Sequence, residues 1–120
     1  MAYKYNQFQK TWLDDLKTTN AKQCLGELTD QKGGYCCLGR AYVANGYRAR
    51  SGQYEGERQR LGVEMLSKLK LNSVEGNMSI SSFEETSLVE LNDNEGMTFK
   101  QIAEFIESNP EKVFKDGYRY

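Results

Sequence analysis

The segment Met97 to Ile106 constrains the fold more than any other part of this chain. Thr98 with Gln101 three residues on reads as a capping box, and Met97 with Ile102 occupies the two hydrophobic-staple positions. Phe99, Ile102, Ala103 and Ile106 follow at i, i+3, i+4 and i+7, a single apolar stripe. Such a helix is stable only when that stripe is buried against other elements, so the rest of the chain must supply partner faces. Pro110 ends the helix and turns Asn109 away from helical geometry. The same Asn-Pro pair is expected to cap a last short helical turn through Val113 and Phe114, stopping near Gly117.

The partner faces are short and scattered. Asn6 and Gln9 form a second capping box, ahead of Phe8, Trp12 and Leu16 at four-residue spacing, with Leu13 widening the stripe and Asn20 as the stop. Cys24 to Thr29 reads as a strand closed by the turn Asp30-Gln31-Lys32-Gly33-Gly34. Tyr35 to Ala44 is apolar on nearly all sides and ends at Asn45-Gly46, which favours a buried helix. A strand is the alternative there, because periodicity does not separate the two in a short apolar run. A helix is expected from about Glu57 to Leu69, anchored by Leu61, Met65, Leu66 and Leu69. Met78 and Ile80 suggest a short strand. Ser81 or Ser82, three residues before Glu84 and Glu85, opens a helix carrying Leu88 and Leu91 and ending at Asn92.

These pieces predict one α+β domain over residues 1–120, with four to five short helices packed on a small antiparallel sheet or hairpin. No internal repeat, low-complexity tract or long linker divides the 120 residues. The expected core joins Trp12, Leu16, Cys37, Leu38, Leu66, Leu88, Leu91, Phe99, Ile102 and Ile106. Apolar stretches run only a few residues, well short of a membrane span. The opening MAYKYNQFQK has neither an apolar h-region nor a small-residue cleavage site, so a secretory signal is not expected.

The chain has no histidine, which removes Cys-His and Ser-His arrangements and most zinc hydrolases. Cys24, Cys36 and Cys37 are an odd number, and adjacent cysteines bridge only with strain, so three thiols in a reducing compartment are expected. They lack the paired CxxC spacing of a zinc site, and no metal or other cofactor is expected. Their structural reading is as small apolar side chains in a packed segment. No phosphate-binding GxxxxGK[ST] or GxGxxG is present. Asn92-Asp93-Asn94-Glu95-Gly96 fails as a calcium loop, since Gly96 at the sixth position puts Leu91 at the first. Glu84-Glu85 is the densest carboxylate pair and reads as acid at a helix start rather than as an acid–base couple. The chain is therefore expected not to be an enzyme.

Charge is distributed unevenly behind a net of −1. Residues 1–70 hold twelve Lys or Arg against seven Asp or Glu, a net of +5. Residues 71–111 hold nine acids and one base, Lys100, a net of −8, and the last nine residues add +2. Five of the six arginines lie between Arg40 and Arg60, interleaved with Tyr42, Tyr47 and Tyr54. Arginine and tyrosine dominate recognition hot spots, and the glycine-rich stretch 46–57 has too few aliphatic side chains to serve the core. Arg48, Arg50, Tyr47 and Tyr54, flanked by Arg58 and Arg60, are thus the candidate binding residues, against the plainer reading of a solvated face. A sequence pI near 5.6 argues against broad nucleic-acid coating. An anionic, nucleotide-like small molecule remains compatible, since arginine offers a planar fork to phosphate and tyrosine stacks on bases.

Two blocks carry a family resemblance. Gly34-Tyr35-Cys36-Cys37-Leu38-Gly39 follows a helix bearing Trp12, and Leu91-Asn92-Asp93 precedes Gly96, Phe99, Ile102, Ala103 and Ile106-Glu107. This order resembles small uncharacterised bacteriophage and prophage proteins with YCCLG-type and LND-x-G-x-x-F-x-x-IA-x-x-IE-type segments. It covers roughly the first third and last quarter of the chain, and an extra residue, Asn94 or Glu95, enlarges the turn before Gly96. The resemblance implies a viral accessory protein in the bacterial host cytoplasm. Such a protein, without catalytic chemistry, is expected to bind a host macromolecule, with a host protein as the favoured partner, in takeover or counter-defence. The resemblance carries over no catalytic residue. Both blocks also read structurally, one as core packing and one as a helix-to-helix turn. Homo-oligomerisation stays open.

Overall fold

The computed structural model describes residues 3–25, 29, 33–47, 63–71, 76–79, 85–93 and 95–114. The fold is α+β. Its helices are α1 (Gln7–Thr18), α2 (Cys37–Ala44), α3 (Val63–Leu69), α4 (Leu88–Asp93), α5 (Phe99–Ser108) and α6 (Pro110–Val113). Among the described residues, two separate strand pairs accompany them. β1 (Lys22–Gln23) runs parallel to β2 (Gly34–Tyr35), and β3 (Asn77–Ser79) runs antiparallel to β4 (Glu85–Ser87).

Helix α1 is the hub, packing on α2, α3 and α5. Its capping box forms as the sequence predicts, and it also joins two helices. Asn6 Nδ2 donates to Lys68 O at 2.9 Å and the buried Gln9 Nε2 donates to Leu69 O at 2.9 Å. The amides that close the N-terminus of α1 thereby occupy carbonyls left unpaired at the C-terminus of α3. Further along, Trp12 Nε1 donates to Cys37 O at 2.8 Å. The second capping box, Thr98 with Gln101, is also present and opens α5.

The buried side chains form one cluster holding all the expected core residues except Leu66, which is half-buried and packs against it. The cluster extends to Leu69 and Leu71 at the end of α3, and to Val113 and Phe114 at the end of α6. Phe114 stacks on Tyr3 at 5.1 Å between ring centroids and meets Tyr5 edge-on at 5.9 Å.

Several expectations need correction. Strand pairing falls at Lys22–Gln23, ahead of the expected strand at 24–29. The chain bends at Leu25, and residues 26–28 lie outside the described residues. What holds the pair early is Gln23, whose Nε2 reaches Asn92 Oδ1 and Met97 O, both at 2.7 Å. Tyr35 belongs to β2, so the apolar run 35–44 becomes a helix only from Cys37, with Cys36 as its N-cap. The helix expected to open at Ser81 or Ser82 starts instead at Leu88. Glu85–Ser87 is a strand against β3, and Ser87 Oγ accepts from Glu90 N at 3.1 Å as the cap. Glu85 is therefore not helix-start acid, while Ile80, Ser81, Ser82 and Glu84 lie outside the described residues, as do 57–62 and Gly117. Asn109 stands at the N-cap of α6 as expected, its carbonyl accepting from Lys112 N at 3.0 Å and Val113 N at 3.2 Å, but its side chain makes no capping bond and its Nδ2 donates back to Phe105 O at 3.0 Å.

Gly76 admits this arrangement. At φ +71 it adopts a backbone that suits glycine, and a Cβ there would stand 2.8 Å from Leu88 Cγ and Cδ1. β3 can enter the fold only because this position lacks a side chain.

Candidate recognition surface

Helix α2 ends in a way that fixes where the next segment leaves. Gly46 takes φ +86, its N–H bonds Val43 O at 3.1 Å, and Tyr47 N bonds Tyr42 O at 2.8 Å. This is the paired bonding of a Schellman motif, which needs a left-handed residue where Asn45-Gly46 provides one. α3 ends the same way: Lys70 at φ 57, Lys70 N to Ser67 O at 3.3 Å and Leu71 N to Leu66 O at 3.4 Å.

Between these two helix ends lies a small cationic cluster. The Lys68 ammonium sits 4.6 Å from the Tyr47 ring centroid and 5.1 Å from that of Phe8, and donates to the Tyr47 hydroxyl. Cation–π attraction on both sides holds the ammonium there. Tyr47 remains 42% exposed, and with Leu25 it makes up the exposed large apolar side chains among the described residues. Of the six candidate binding residues, Tyr47 alone falls within the described residues. Arg48, Arg50, Tyr54, Arg58 and Arg60 lie outside them. Sequence reasoning missed Lys68 and Phe8, since Phe8 reads as a stripe residue and Lys68 as an ordinary helix-end base. Only the meeting of α1, α2 and α3 joins them to Tyr47.

Arg40 is not part of any recognition face. It is buried, pairs in a fork with Asp15 at 2.8 and 2.6 Å, and lies 5.0 Å from the Tyr35 ring centroid. The Asp15 hydrogen bond raises its pKa further, so it is a fixed cation binding α2 to α1.

The two resembling blocks meet around Asn92, which is 1% exposed. Its Nδ2 donates to Cys24 O at 2.9 Å and Asp93 Oδ1 at 2.8 Å, while its Oδ1 accepts from Gln23 Nε2 and from Cys37 N at 3.2 Å. In the sequence Asn92 reads only as a helix stop and part of a helix-to-helix turn.

The neighbouring cysteines are thiols with structural duties. Cys36 Sγ accepts from Gly39 N at 3.4 Å, and Cys37 Sγ donates to Leu88 O at 3.5 Å. Burial pushes the Cys36 thiol up to about 12 and the fully buried Cys37 thiol well above its ordinary value. Both are protonated near neutrality in the reduced, folded chain. Among the described residues no group of three or more Cys, Asp or Glu is arranged to hold a metal ion, and no helix is long and apolar enough to cross a membrane. In comparisons with known protein families, curated proteins and solved structures, the chain matches none.

Proposed function

We propose that this chain is a non-catalytic binding protein of the bacteriophage accessory kind, acting in the host cytoplasm on a host protein. Its recognition surface is the Arg/Tyr segment from Tyr47 to Arg60. The supporting observation is the exposed Tyr47 ring, held by Lys68 and a Schellman turn where that segment begins. A rigid aromatic beside cations is favourable hot-spot chemistry. Elsewhere, Arg40, Asn92, Cys36 and Cys37 are engaged in holding the fold.

A second reading is a binder of an anionic nucleotide-like molecule, favoured by the Lys68 ammonium next to the exposed Tyr47 side chain. Affinity capture from bacterial lysate, run beside a melting screen against nucleotides, separates the two. Arg48→Ala with Arg50→Ala, and separately Tyr47→Ala, should weaken binding about tenfold or more with the melting temperature nearly unchanged. Normal binding by both variants would reduce the segment to a solvated face. Unfolding of the double arginine variant would move the search to the acidic segment from Glu75 to Glu111.

A further inference from the structure

The parallel pair β1–β2 leads into a cysteine on each of its two strands. Lys22 pairs with Gly34 and Gln23 with Tyr35, and Cys24 N still bonds Tyr35 O at 2.9 Å. Cys36 keeps extended backbone, φ −89 and ψ 176, before α2 begins. Carried one residue further, this register sets Cys24 opposite Cys36. Neighbouring strands lie about 4.8 Å apart, inside the range of about 4.4–6.8 Å between Cα atoms that a disulfide spans. Residues in register also project to the same face of the ladder.

We propose that Cys24 and Cys36 form a reversible dithiol–disulfide site, closed by a low-molecular-weight disulfide of the glutathione kind. Cys24 is half-buried and Cys36 is 4% exposed, so Cys24 is the entry thiol. Its thiolate attacks the small disulfide, forming a mixed disulfide and releasing one small thiol. Cys36 then gives up its proton, attacks the Cys24 sulfur and displaces the second small thiol. One S–S bond breaks and one forms; the two protons lost by the protein end on the two small thiols. The order agrees with the electrostatics, in which burial and the neighbouring Cys24 both raise the Cys36 thiol. Cys37 stands outside the exchange: it is the first residue of α2, fully buried, with its thiol on Leu88 O. A bridge spanning one rung is constrained in geometry, which makes it reducible and suits a switch better than a permanent staple.

The test uses the full chain, reduced and then exposed to oxidised glutathione without denaturant. Cleavage after Lys32 separates Cys24 from Cys36 and Cys37, so a bridge appears as two linked peptides. Wild type and Cys37→Ala should both lose the mass of two hydrogens and show the linked peptides, reversibly with a dithiol reductant. Cys36→Ser, which retains an oxygen to cap α2, should stop at the glutathione adduct on Cys24. Reduced wild type and Cys37→Ala should also take up phenylarsine oxide, which bridges adjacent thiols, whereas Cys24→Ser should not. The proposal is overturned if wild type stops at the adduct, if linkage needs denaturant, or if Cys37→Ala loses it. Should Cys36→Ser fail to fold, wild type and Cys37→Ala still decide.

Discussion

Asn92 uses every hydrogen-bonding position its amide offers, two donors and two accepting sites, and does so 1% exposed. Its partners are Gln23 and Cys24 at the end of β1, Cys37 at the start of α2 and its own neighbour Asp93, so one side chain ties two other parts of the chain to α4. Asn92→Ala leaves the Cys37 N–H and the Gln23 amide without this acceptor and opens a cavity. The expected cost is about 2–4 kcal/mol in urea unfolding. Asn92→Asp retains the shape, yet it loses both donors and buries a charge beside Asp93, so a comparable loss is expected. If Asn92→Asp were as stable as wild type, hydrogen bonding would not be what this residue contributes. The sequence could not assign this role: an asparagine before a turn looks the same whether its side chain faces solvent or two distant segments.

At the scale of elements, the local grammar was readable where the chain's own neighbours decide the outcome. Both capping boxes, the α5 stripe and the Asn45-Gly46 stop follow from residues within one or two helical turns. The same grammar misled at Ser81 and Ser82. Ser87 with Glu90 repeats the serine-to-glutamate spacing, and the choice falls to a non-local event, the pairing of Glu85–Ser87 with Asn77–Ser79. Chain separation also decides what a capping box contributes. Gln9 is fully buried and bonds Leu69 O, Tyr3 Oη and Asn6 N, whereas Gln101 is exposed and serves only its own helix. Gln9→Ala should therefore cost about 2–3 kcal/mol and Gln101→Ala about 0.5–1 kcal/mol. Chemical denaturation of the two variants side by side checks the ratio. Equal losses would mean that the link from α1 to α3 adds nothing beyond ordinary capping.

At the scale of the whole molecule, the candidate site was legible only as composition. The arginines and tyrosines of residues 47–60 stand out in sequence, but the meeting of Tyr47 with Lys68 and Phe8 depends on three helices packing together. The packed interior has a further consequence, in alkali. Burial raises the Cys36 thiol from 9.0 to about 12, raises Cys37 well above 9.0, and raises Tyr5 above 10.0 with help from Glu107 and Glu111. Each group is neutral when protonated, and each releases its proton in the unfolded chain at a lower pH than in the folded one. Their contribution to stability is thus complete below the unfolded values and is lost as pH rises toward the folded ones. Arg40 stays charged throughout this window, so its pair with Asp15 does not produce the same effect. Urea midpoints should hold steady up to about pH 8.5 and then fall steeply by about pH 10.5. Cys36→Ser removes one of the three groups while keeping the cap, so its midpoint should fall less over the same interval. Tyr5→Phe should relieve only the later part of the loss, around and above pH 10.0, where the unfolded phenol is half ionised. Identical slopes for wild type and Cys36→Ser would show that ionisation of the buried Cys36 thiol does not drive the alkaline loss.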